Sequence, residues 1–417
     1  MNDRTAEIIC VGTELLMGST VNTNATDIAK ELSKLGINLY HSVVVGDNPE
    51  RLSEALRLAF SRAEIVITTG GLGPTYDDLT KETVAAYFGK KLTMHEPSLV
   101  AIREYFAKAH REMVPTNEKQ AMMPEDCTVL PNPNGTAPGC ILEDGEHIAV
   151  VLPGPPREMR PMLRRQVVPY LTRAGRQLVS HELHFYGIGE SELEYRLHEL
   201  METNPNPTVA PYAKSGEVML RVTASVEEGE DAEALMQPAL DQIRAAAGEY
   251  LYGIDTPDLQ SAAVARLKEK RLTVATAESC TGGMVAERLT AVPGASQVFG
   301  CAMVCYNNRI KEELLGVDPQ IIQEYTAISE ETAAAMAAAI RKKSGADIGI
   351  GVTGNAGPTE SEGKPVGLVY VAVASDAYTH VSRVFINRHD EDLRELVRHL
   401  ATLRALHLIL RAADAAQ

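Results

Sequence analysis

Ile65-Val66-Ile67-Thr68-Thr69-Gly70-Gly71-Leu72-Gly73-Pro74-Thr75-Tyr76-Asp77-Asp78-Leu79-Thr80 is the stretch that decides the fold. Ile65–Thr69 is short, apolar and β-branched, which predicts a buried strand. It runs straight into a glycine-rich loop, and Lys81–Phe88 then takes up helical spacing. A strand that leaves through glycines into a helix is the repeating unit of a parallel α/β sheet. Upstream, Glu7–Gly12 and Leu39–Val45 read as further strands. Asn24–Leu35, with Ile28, Leu32 and Leu35 on one face, and Pro49–Arg62 read as the helices between them. Downstream, Leu99–Ala109 reads as a helix, His147–Leu152 as a strand, and Arg157–Leu171 as a helix interrupted at Pro161.

Near Arg173 the pattern changes. His181–Tyr186 and Glu217–Val226 are strand-like, while Ser191–Glu202 and Asp231–Ala247 are helical, giving a small α+β module. Gly253 onward, GIDTPDLQ, reads as a linker. A second α/β part follows, with helices Leu259–Lys270, Met284–Leu289 and Glu330–Lys343. Its strands are Leu272–Ala277, Val298–Tyr306, Asp347–Val352, Gly367–Ala374 and Val381–Ile386. In the last helix Leu393, Leu396, Leu400 and Leu403 form a core-facing stripe. The alanine run Ala333–Ala339 is explained by helix propensity. The expected fold is therefore α/β: two α/β domains with largely parallel sheets, over 1–172 and 253–417, joined by the small module over 173–252.

Composition agrees. A chain of 417 residues suits three domains at roughly 150 residues each. With 45% hydrophobic and 23% charged residues it can bury sizeable cores. Lys plus Arg number 40 and Asp plus Glu 56, a formal net charge of −16. That balance excludes a dominant phosphate-backbone binder. No apolar run is long enough for a bilayer span and the start carries no signal-peptide pattern, so a cytoplasmic protein is expected. The six cysteines include no CxxC pair. Buried, reduced thiols are expected rather than disulfides or a zinc site.

Ligands in open α/β sheets bind at the carboxyl ends of the strands. In the first part the loop after Thr69 offers glycines for close backbone approach and then Asp77 and Asp78 at a helix start. Alone, such a pair would cap the helix or complement its dipole. Directly after a glycine-rich strand exit, it is a candidate for holding a divalent cation against phosphates. Pro153-Gly154-Pro155-Pro156-Arg157-Glu158, Asn132–Gly139, and Val11-Gly12-Thr13-Glu14 with Asn22 and Asn24 have the same character.

In the last part, Gly349-Ile350-Gly351-Val352-Thr353-Gly354 fits GxGxxG but lies within a strand and leads into a loop, so it is not a dinucleotide fingerprint. The stronger feature is Ala277-Glu278-Ser279-Cys280-Thr281-Gly282-Gly283, between a strand and a helix. Such a turn can present a nucleophile and supply an oxyanion hole or phosphate cradle. Ser279 and Cys280 are both candidates; a helix cap and a buried small hydrophobe are their plain structural roles. Tyr306-Asn307-Asn308-Arg309-Ile310-Lys311 closes another strand, and a desolvated Lys311 can act as base. Thr353-Gly354-Asn355-Ala356-Gly357-Pro358 ends a further strand, and Arg388 can grip a phosphate.

VGTELLMGSTVNTNA, TTGGLGPTYDDLTKETVA, PNPNGTAPG and LPGPPREM, over roughly the first 170 residues, resemble the molybdopterin-binding-like domain of the CinA (competence/damage-inducible protein A) family. ATAESCTGG, VCYNNRIKEELLGV and GVTGNAGP resemble the family's C-terminal domain, which is similar to nicotinamide mononucleotide (NMN) amidohydrolase. The middle module resembles the family's KH-like domain. It lacks the GxxG clamp of nucleic-acid-binding KH domains; Gly187-Ile188-Gly189-Glu190 is followed by acidic residues, so a spacer or dimerisation element is expected. The resemblance implies hydrolysis of NMN to nicotinate mononucleotide and ammonia in pyridine-nucleotide salvage. It also implies a metal-dependent pyrophosphatase acting on ADP-ribose. Ser279 would be the nucleophile, Lys311 and Tyr306 the proton-transfer partners, and Thr353 would complete the catalytic set. Thr281, Gly282, Gly283, Asn308, Gly354, Gly357 and Arg388 would contact that substrate. Asp77 and Asp78 would hold a divalent cation, the only cofactor expected, with Gly71, Gly73, Thr75 and Gly154 lining the first site. Asn355 and the acidic Thr359–Glu362 stretch depart from the family's usual GVTGIAGPGGG. The expected partners are these small nucleotides and a second copy of the chain, without direct nucleic-acid contact or membrane. The rival readings are a non-catalytic accessory role in DNA uptake or repair, and an N-terminal molybdopterin or nucleotide binder.

Overall fold

The computed structural model describes residues 4–172, 177–227, 229–388 and 392–416. They form two compact units: residues up to 180 with 224–235, and 181–223 with 236 onward. The first unit carries strands β1 (Thr5–Val11), β2 (Asn38–Val45), β3 (Ile65–Thr69), β4 (Leu92–Met94), β5 (Met122–Pro124), β6 (Thr128–Leu130), β7 (Gly139–Glu143) and β8 (Ile148–Leu152). Six of them form one sheet in the order β2-β1-β3-β8-β7-β6, and β4 pairs with β5 apart from it. The first four of the six are parallel; β7 and β6 continue antiparallel.

The alternation of buried side chains along these strands explains both layers. Ile8, Ile67, Val150 and Leu152 face one side, against Ile28 and Leu32 of helix Thr23–Lys34 and Met159 and Met162 of helix Pro156–Met162. Ile9, Val66 and Val151 face the other, against Leu52 and Leu56 of helix Pro49–Phe60 and Val84 of helix Thr80–Tyr87. Successive residues of a strand point to opposite faces, so a sheet covered on both sides needs an unbroken apolar run. Asn22 and Asn48 cap the first two crossover helices by accepting from Ala25 N and Arg51 N. The one buried charge of β1, Glu7, is answered by Arg62 through two 2.8 Å hydrogen bonds.

The interruption expected at Pro161 is not a break. Helix Pro156–Met162 passes through a π-helical turn, Leu163–Val167, into Val168–Leu171. Pro161 removes one i→i−4 donor, and buried Met162, Leu163, Val167 and Leu171 keep the segment on the sheet.

The middle segment forms a four-stranded sheet, β10-β11-β9-β12, from β9 (Gln177–Phe185), β10 (Thr208–Lys214), β11 (Glu217–Val226) and β12 (Leu251–Ile254). Two of its strands are missing from the sequence reading. β10 contains Pro211, which argues against a strand, and an edge position tolerates it. The linker expected from Gly253 starts later, because Gly253 and Ile254 pair with His184 and Leu183 in β12.

The last sheet is β14-β13-β15-β16-β17, built from β13 (Val274–Glu278), β14 (Phe299–Val304), β15 (Ile348–Gly354), β16 (Leu368–Ala374) and β17 (Thr379–Phe385). β14, β13 and β15 are parallel, and β16 and β17 antiparallel. Helices Leu259–Lys270 and Leu393–Ala415 bury one face, through Leu267, Val397, Leu406 and Ile409. Helix Glu330–Ser344 covers the other, through Ala333, Met336, Ala337 and Ile340. Leu403 of the expected stripe is buried; Leu393, Leu396 and Leu400 pack partly buried beside it.

The GxGxxG run belongs to this packing. A Cβ on Gly349 would lie 2.2 Å from the Ala337 carbonyl oxygen, and one on Gly351 2.3 Å from that of Ala333. So the alanine run does more than favour helix: its small side chains and the strand glycines let helix and sheet approach closely. Gly351→Ala is expected to destabilise the protein by about 1–3 kcal/mol through overpacking. A chemical-denaturation midpoint equal to that of the native chain would refute this account. All six cysteines are free, four of them buried. Among the described residues no helix is long and apolar enough to cross a membrane.

Candidate active sites

Each α/β part has a polar cleft at the carboxyl ends of its parallel strands. The first, of about 390 Å³, is lined by the exits of β1 (Gly12, Glu14), β2 (Asp47), β3 (Gly70–Thr75, Asp77, Asp78) and β8 (Pro153–Pro155, Glu158). It therefore gathers Gly71, Gly73, Thr75, Asp77, Asp78 and Gly154, the six positions that the sequence points to. Asn24 ties two of the exits, donating to Thr69 Oγ1 (2.9 Å) and to the Gly154 carbonyl (2.6 Å). Gly70 is required: its φ is 107° and a Cβ would stand 2.0 Å from the Val11 carbonyl oxygen.

The Asp77–Asp78 pair is organised by Thr75. Its N–H donates to Asp78 Oδ2 at 3.0 Å, and its hydroxyl contacts both Asp77 Oδ1, at 2.5 Å, and Asp78 Oδ2. The Thr75 hydrogen bond, the residue's own N–H and Lys119 hold Asp77 below the ordinary carboxylate range. Behind the loop, buried Lys81 donates to the Gln120 carbonyl (2.6 Å), and Gln120 Nε2 donates to the Leu72 carbonyl (3.2 Å). Burial pushes Lys81 down to about 8. Lys119 donates to the carbonyls of Thr75 and Asp78. Glu14 and Glu158 stand in stretches that the sequence reading singles out, each at a helix start, but Asp47, Lys81, Lys119 and Gln120 escape it. They lie up to 45 residues from Thr75 in the chain, and only pairing or side-chain reach brings them in.

The donors fit a hard divalent cation. One hydroxyl proton cannot serve two carboxylate oxygens, so the Thr75–Asp77–Asp78 contact leaves negative charge that a cation would relieve. Among the described residues no group of three or more His, Cys, Asp or Glu converges on one point. The Asp77–Asp78 pair therefore matches a cation that keeps waters and takes phosphate oxygens, not one caged by protein alone.

The second cleft, of about 270 Å³, brings together Ser279, Tyr306, Asn308, Lys311, Thr353, Gly354 and Gly357. Ser279 follows β13, where its N–H extends the sheet to the Val352 carbonyl at 2.9 Å. The turn after it wraps around buried Glu278. That carboxylate accepts from Thr281 Oγ1 (2.7 Å), Gly283 N (3.0 Å), Val285 N (3.1 Å) and Ala286 N (2.9 Å). The helix N–H groups expected to cradle a phosphate are thus already taken by Glu278. Thr281, Gly282 and Gly283 do not line the cleft: Gly282 (φ 62°) and Gly283 (φ 100°) shape the turn, and the Thr281 carbonyl accepts from Arg398 at 3.0 Å.

Ser279 and Cys280 are now distinguishable. Both line the cleft, but burial pushes the Cys280 thiol up to about 12, which withholds the thiolate. Lys311 is 1% exposed and burial lowers its pKa, opposed by nearby Cys305 and Glu362. Thr353 Oγ1 donates to the Ala327 carbonyl at 2.6 Å, so it fixes the wall. The arginine of this cleft is Arg394, which donates to the Gly357 carbonyl and, at 3.1 Å, to the Tyr306 hydroxyl. Arg388 is exposed and does not line the cleft.

The departures from the family motif have structural work. Asn355 donates to the Thr359 and Lys364 carbonyls at 3.0 and 3.1 Å and accepts from Gly357 N at 2.9 Å. Of the two acidic residues in Thr359–Glu362, only Glu362 lines the cleft. It accepts from Ala327 N at 2.8 Å, which ties it into the wall.

Two open α/β sheets with clefts at their strand ends, and an α+β module between them in the chain, define a two-site architecture. The chain belongs to the CinA family. Residues 7–173 match the probable molybdopterin binding domain, 180–253 the damage-inducible protein CinA KH domain, and 256–413 the CinA C-terminal domain. It is 46% identical to a CinA-like protein of Kosmotoga olearia over 98% of both chains. It is 47% identical to a putative competence-damage inducible protein of Acetivibrio thermocellus, over 97% of this chain and 98% of that one. A crystal structure described as the protein CinA from Thermoplasma acidophilum is 37% identical over 40% of this chain and 98% of its own, with a TM-score of 0.37.

Proposed function

We propose that the second cleft hydrolyses the carboxamide of NMN, giving nicotinate mononucleotide and ammonia. The observation that carries this reading is the pairing, in one cleft, of a turn-presented serine with a buried lysine. A Ser–Lys site needs its lysine neutral, and burial favours that form. Ser279 Oγ attacks the carboxamide carbon while Lys311 takes its proton. The C–N bond breaks as Lys311 returns that proton to the leaving nitrogen, releasing ammonia and leaving an acyl ester on Ser279. Water then attacks the ester, Lys311 accepts its proton and passes it to Ser279 Oγ, and the carboxylate product leaves. Arg394, at the rim, is the proposed grip for the substrate phosphate in place of Arg388. A volume of about 270 Å³ is near the lower bound of roughly 300 Å³ for small-molecule sites, which suits a mononucleotide better than a dinucleotide.

The first cleft is proposed as a metal-dependent pyrophosphatase acting on ADP-ribose. Asp77 and Asp78 would hold the cation, which when bound supplies charge neutralisation for a diphosphate and an acidified water. The glycine loop lets phosphates approach the backbone, and Lys119 braces the aspartate turn from behind. For the middle module a spacer or homodimerisation role is proposed. Its helix Glu190–Thr203 starts with Glu190 and Glu192, which disfavour a phosphate backbone there.

The test uses the full chain. NMN without added metal should give ammonia and nicotinate mononucleotide in equal amounts. ADP-ribose with Mg²⁺ should give AMP and ribose 5-phosphate, and a chelator should stop this second reaction alone. A folded protein that releases no ammonia would overturn the first assignment. One that leaves ADP-ribose intact with Mg²⁺ or Mn²⁺ would reduce the first cleft to a nucleotide or molybdopterin binder.

A further inference from the structure

The acidic stretch that departs from the family motif ends in a tight turn at the second cleft. In Ser361-Glu362-Gly363-Lys364, the Lys364 N–H donates to the Ser361 carbonyl at 2.8 Å. The two central residues, Glu362 and Gly363, have φ of 53° and 70°. Asparagine or glycine is the usual residue at the first of these places, because a longer side chain gains nothing from the left-handed backbone there. What a glutamate adds is its carboxylate, delivered to the cleft wall.

That carboxylate is braced on one side only. Oε2 accepts from Ala327 N at 2.8 Å, and the Ala327 carbonyl in turn accepts from Thr353 Oγ1. Oε1 has a single long contact, 3.4 Å from Asn308 Nδ2. Among the described residues that line this cleft, Glu362 is the only carboxylate. An ionised carboxylate only accepts, so it does not recognise a phosphate or a carbonyl oxygen; it takes N–H or O–H donors.

The ends of an NMN molecule are already assigned, the carboxamide to Ser279 and Lys311 and the phosphate to Arg394. The carboxamide NH₂ faces Lys311, which must protonate it as it leaves. The donors that remain are the two ribose hydroxyls, between the ends. Glu362 is placed between the same two ends. Arg394 holds the Tyr306 hydroxyl at 3.1 Å, and Asn308, two residues further along that loop, contacts Glu362. Lys311 closes the same loop, within the electrostatic reach of Glu362. Vicinal hydroxyls on a carboxylate are the ordinary way a protein reads a ribose.

We infer that Glu362, with Asn308 beside it, is the subsite for the ribose hydroxyls, which makes the second cleft selective for a ribonucleotide. This rests on reading that cleft as an NMN site and deepens it. The acid that breaks the glycine-rich motif reads the sugar.

The experiment measures binding of NMN and of its 2′,3′-dideoxy analogue by calorimetry. It uses the full chain carrying Ser279→Ala, so that bound NMN is not consumed. With Glu362 in place, NMN should bind at least about tenfold tighter than the analogue, since a carboxylate denied its hydroxyl partners opposes binding. Glu362→Gln keeps an oxygen for Ala327 N and turns an NH₂ to the cleft. The ratio should then fall to about threefold or less, with the melting temperature unchanged. Glu362→Ala should collapse the ratio as well. A merely structural role would weaken both ligands alike and leave the ratio intact, and that result would overturn the subsite. Equal affinity for the two ligands with Glu362 in place, or no binding of NMN, would overturn it too. Ammonia release by the native chain is read separately. Selective binding without ammonia would keep the subsite and remove the deamidase; ammonia without selectivity would do the reverse.

Discussion

Ser279→Ala is expected to lower ammonia release from NMN by on the order of 10⁴-fold or more, because removing a covalent nucleophile leaves only binding and orientation. The fold should survive. The structural bonds of this residue are backbone ones, its N–H to the Val352 carbonyl and its carbonyl from Gly282 N–H, which alanine keeps, and the turn is held by Glu278, not by the serine hydroxyl. Cys280→Ala is the matched control: its thiol, pushed up by burial, should be dispensable, with a rate within several-fold of native. The measurements are kcat/KM by ammonia release and the melting temperature of each variant. Deamidation that persists in Ser279→Ala, or vanishes in a folded Cys280→Ala, would move the nucleophile elsewhere.

Lys311→Met is expected to cost about 10²–10⁴-fold in kcat, the usual range for a positioned general base. It should also change the pH profile. Lys311 acts as a base only when neutral, so the native rate should rise with pH until its lowered pKa is passed, and that limb should be absent from the variant. Stability should move the same way. The folded-state pKa lies below the unfolded value, so the folded protein binds the proton less well than the unfolded chain. Below the folded pKa this disfavours folding, and the penalty is relieved as pH rises toward the ordinary lysine value. Methionine removes the buried ammonium, so Lys311→Met should melt no lower than native at neutral pH. A variant with native kcat and native pH profile would remove Lys311 from the chemistry.

Much of this arrangement is legible in the sequence, for a physical reason. Strand exits in an open α/β sheet must converge at one sheet end, so a chain that marks them with Gly70-Gly71, Pro153-Gly154 and Ser279-Cys280 marks its clefts. What escapes is what depends on register or reach. Lys81 reads as an ordinary helix residue until its ammonium is seen turned inward to the Gln120 carbonyl. The sequence reading names Arg388 and passes over Arg394, which the start of the last helix brings to the cleft. The Thr281–Gly283 turn reads as a phosphate cradle because its glycines do permit one. What the sequence could not reveal is that Glu278, five residues before Gly283, folds back to fill it. β10 and the π-turn after Pro161 escape because proline rules describe isolated elements, whereas an edge position and a buried apolar face override them.

The last helix has a consequence for how the second cleft is assembled. Arg394 reaches Tyr306 across 88 residues of chain, Arg398 reaches Thr281 across 117, and His399 Nε2 donates to the Ser215 carbonyl across 184. These are non-local contacts, whose loop-closure entropy must be met before they stabilise anything. The Ser279 turn can fold early with its own strand and helix. Its clamp and the rim arginine cannot close until helix Leu393–Ala415 docks. A partly folded chain would therefore carry the serine without the groups that complete its surroundings. Activity should return later in refolding than secondary structure does.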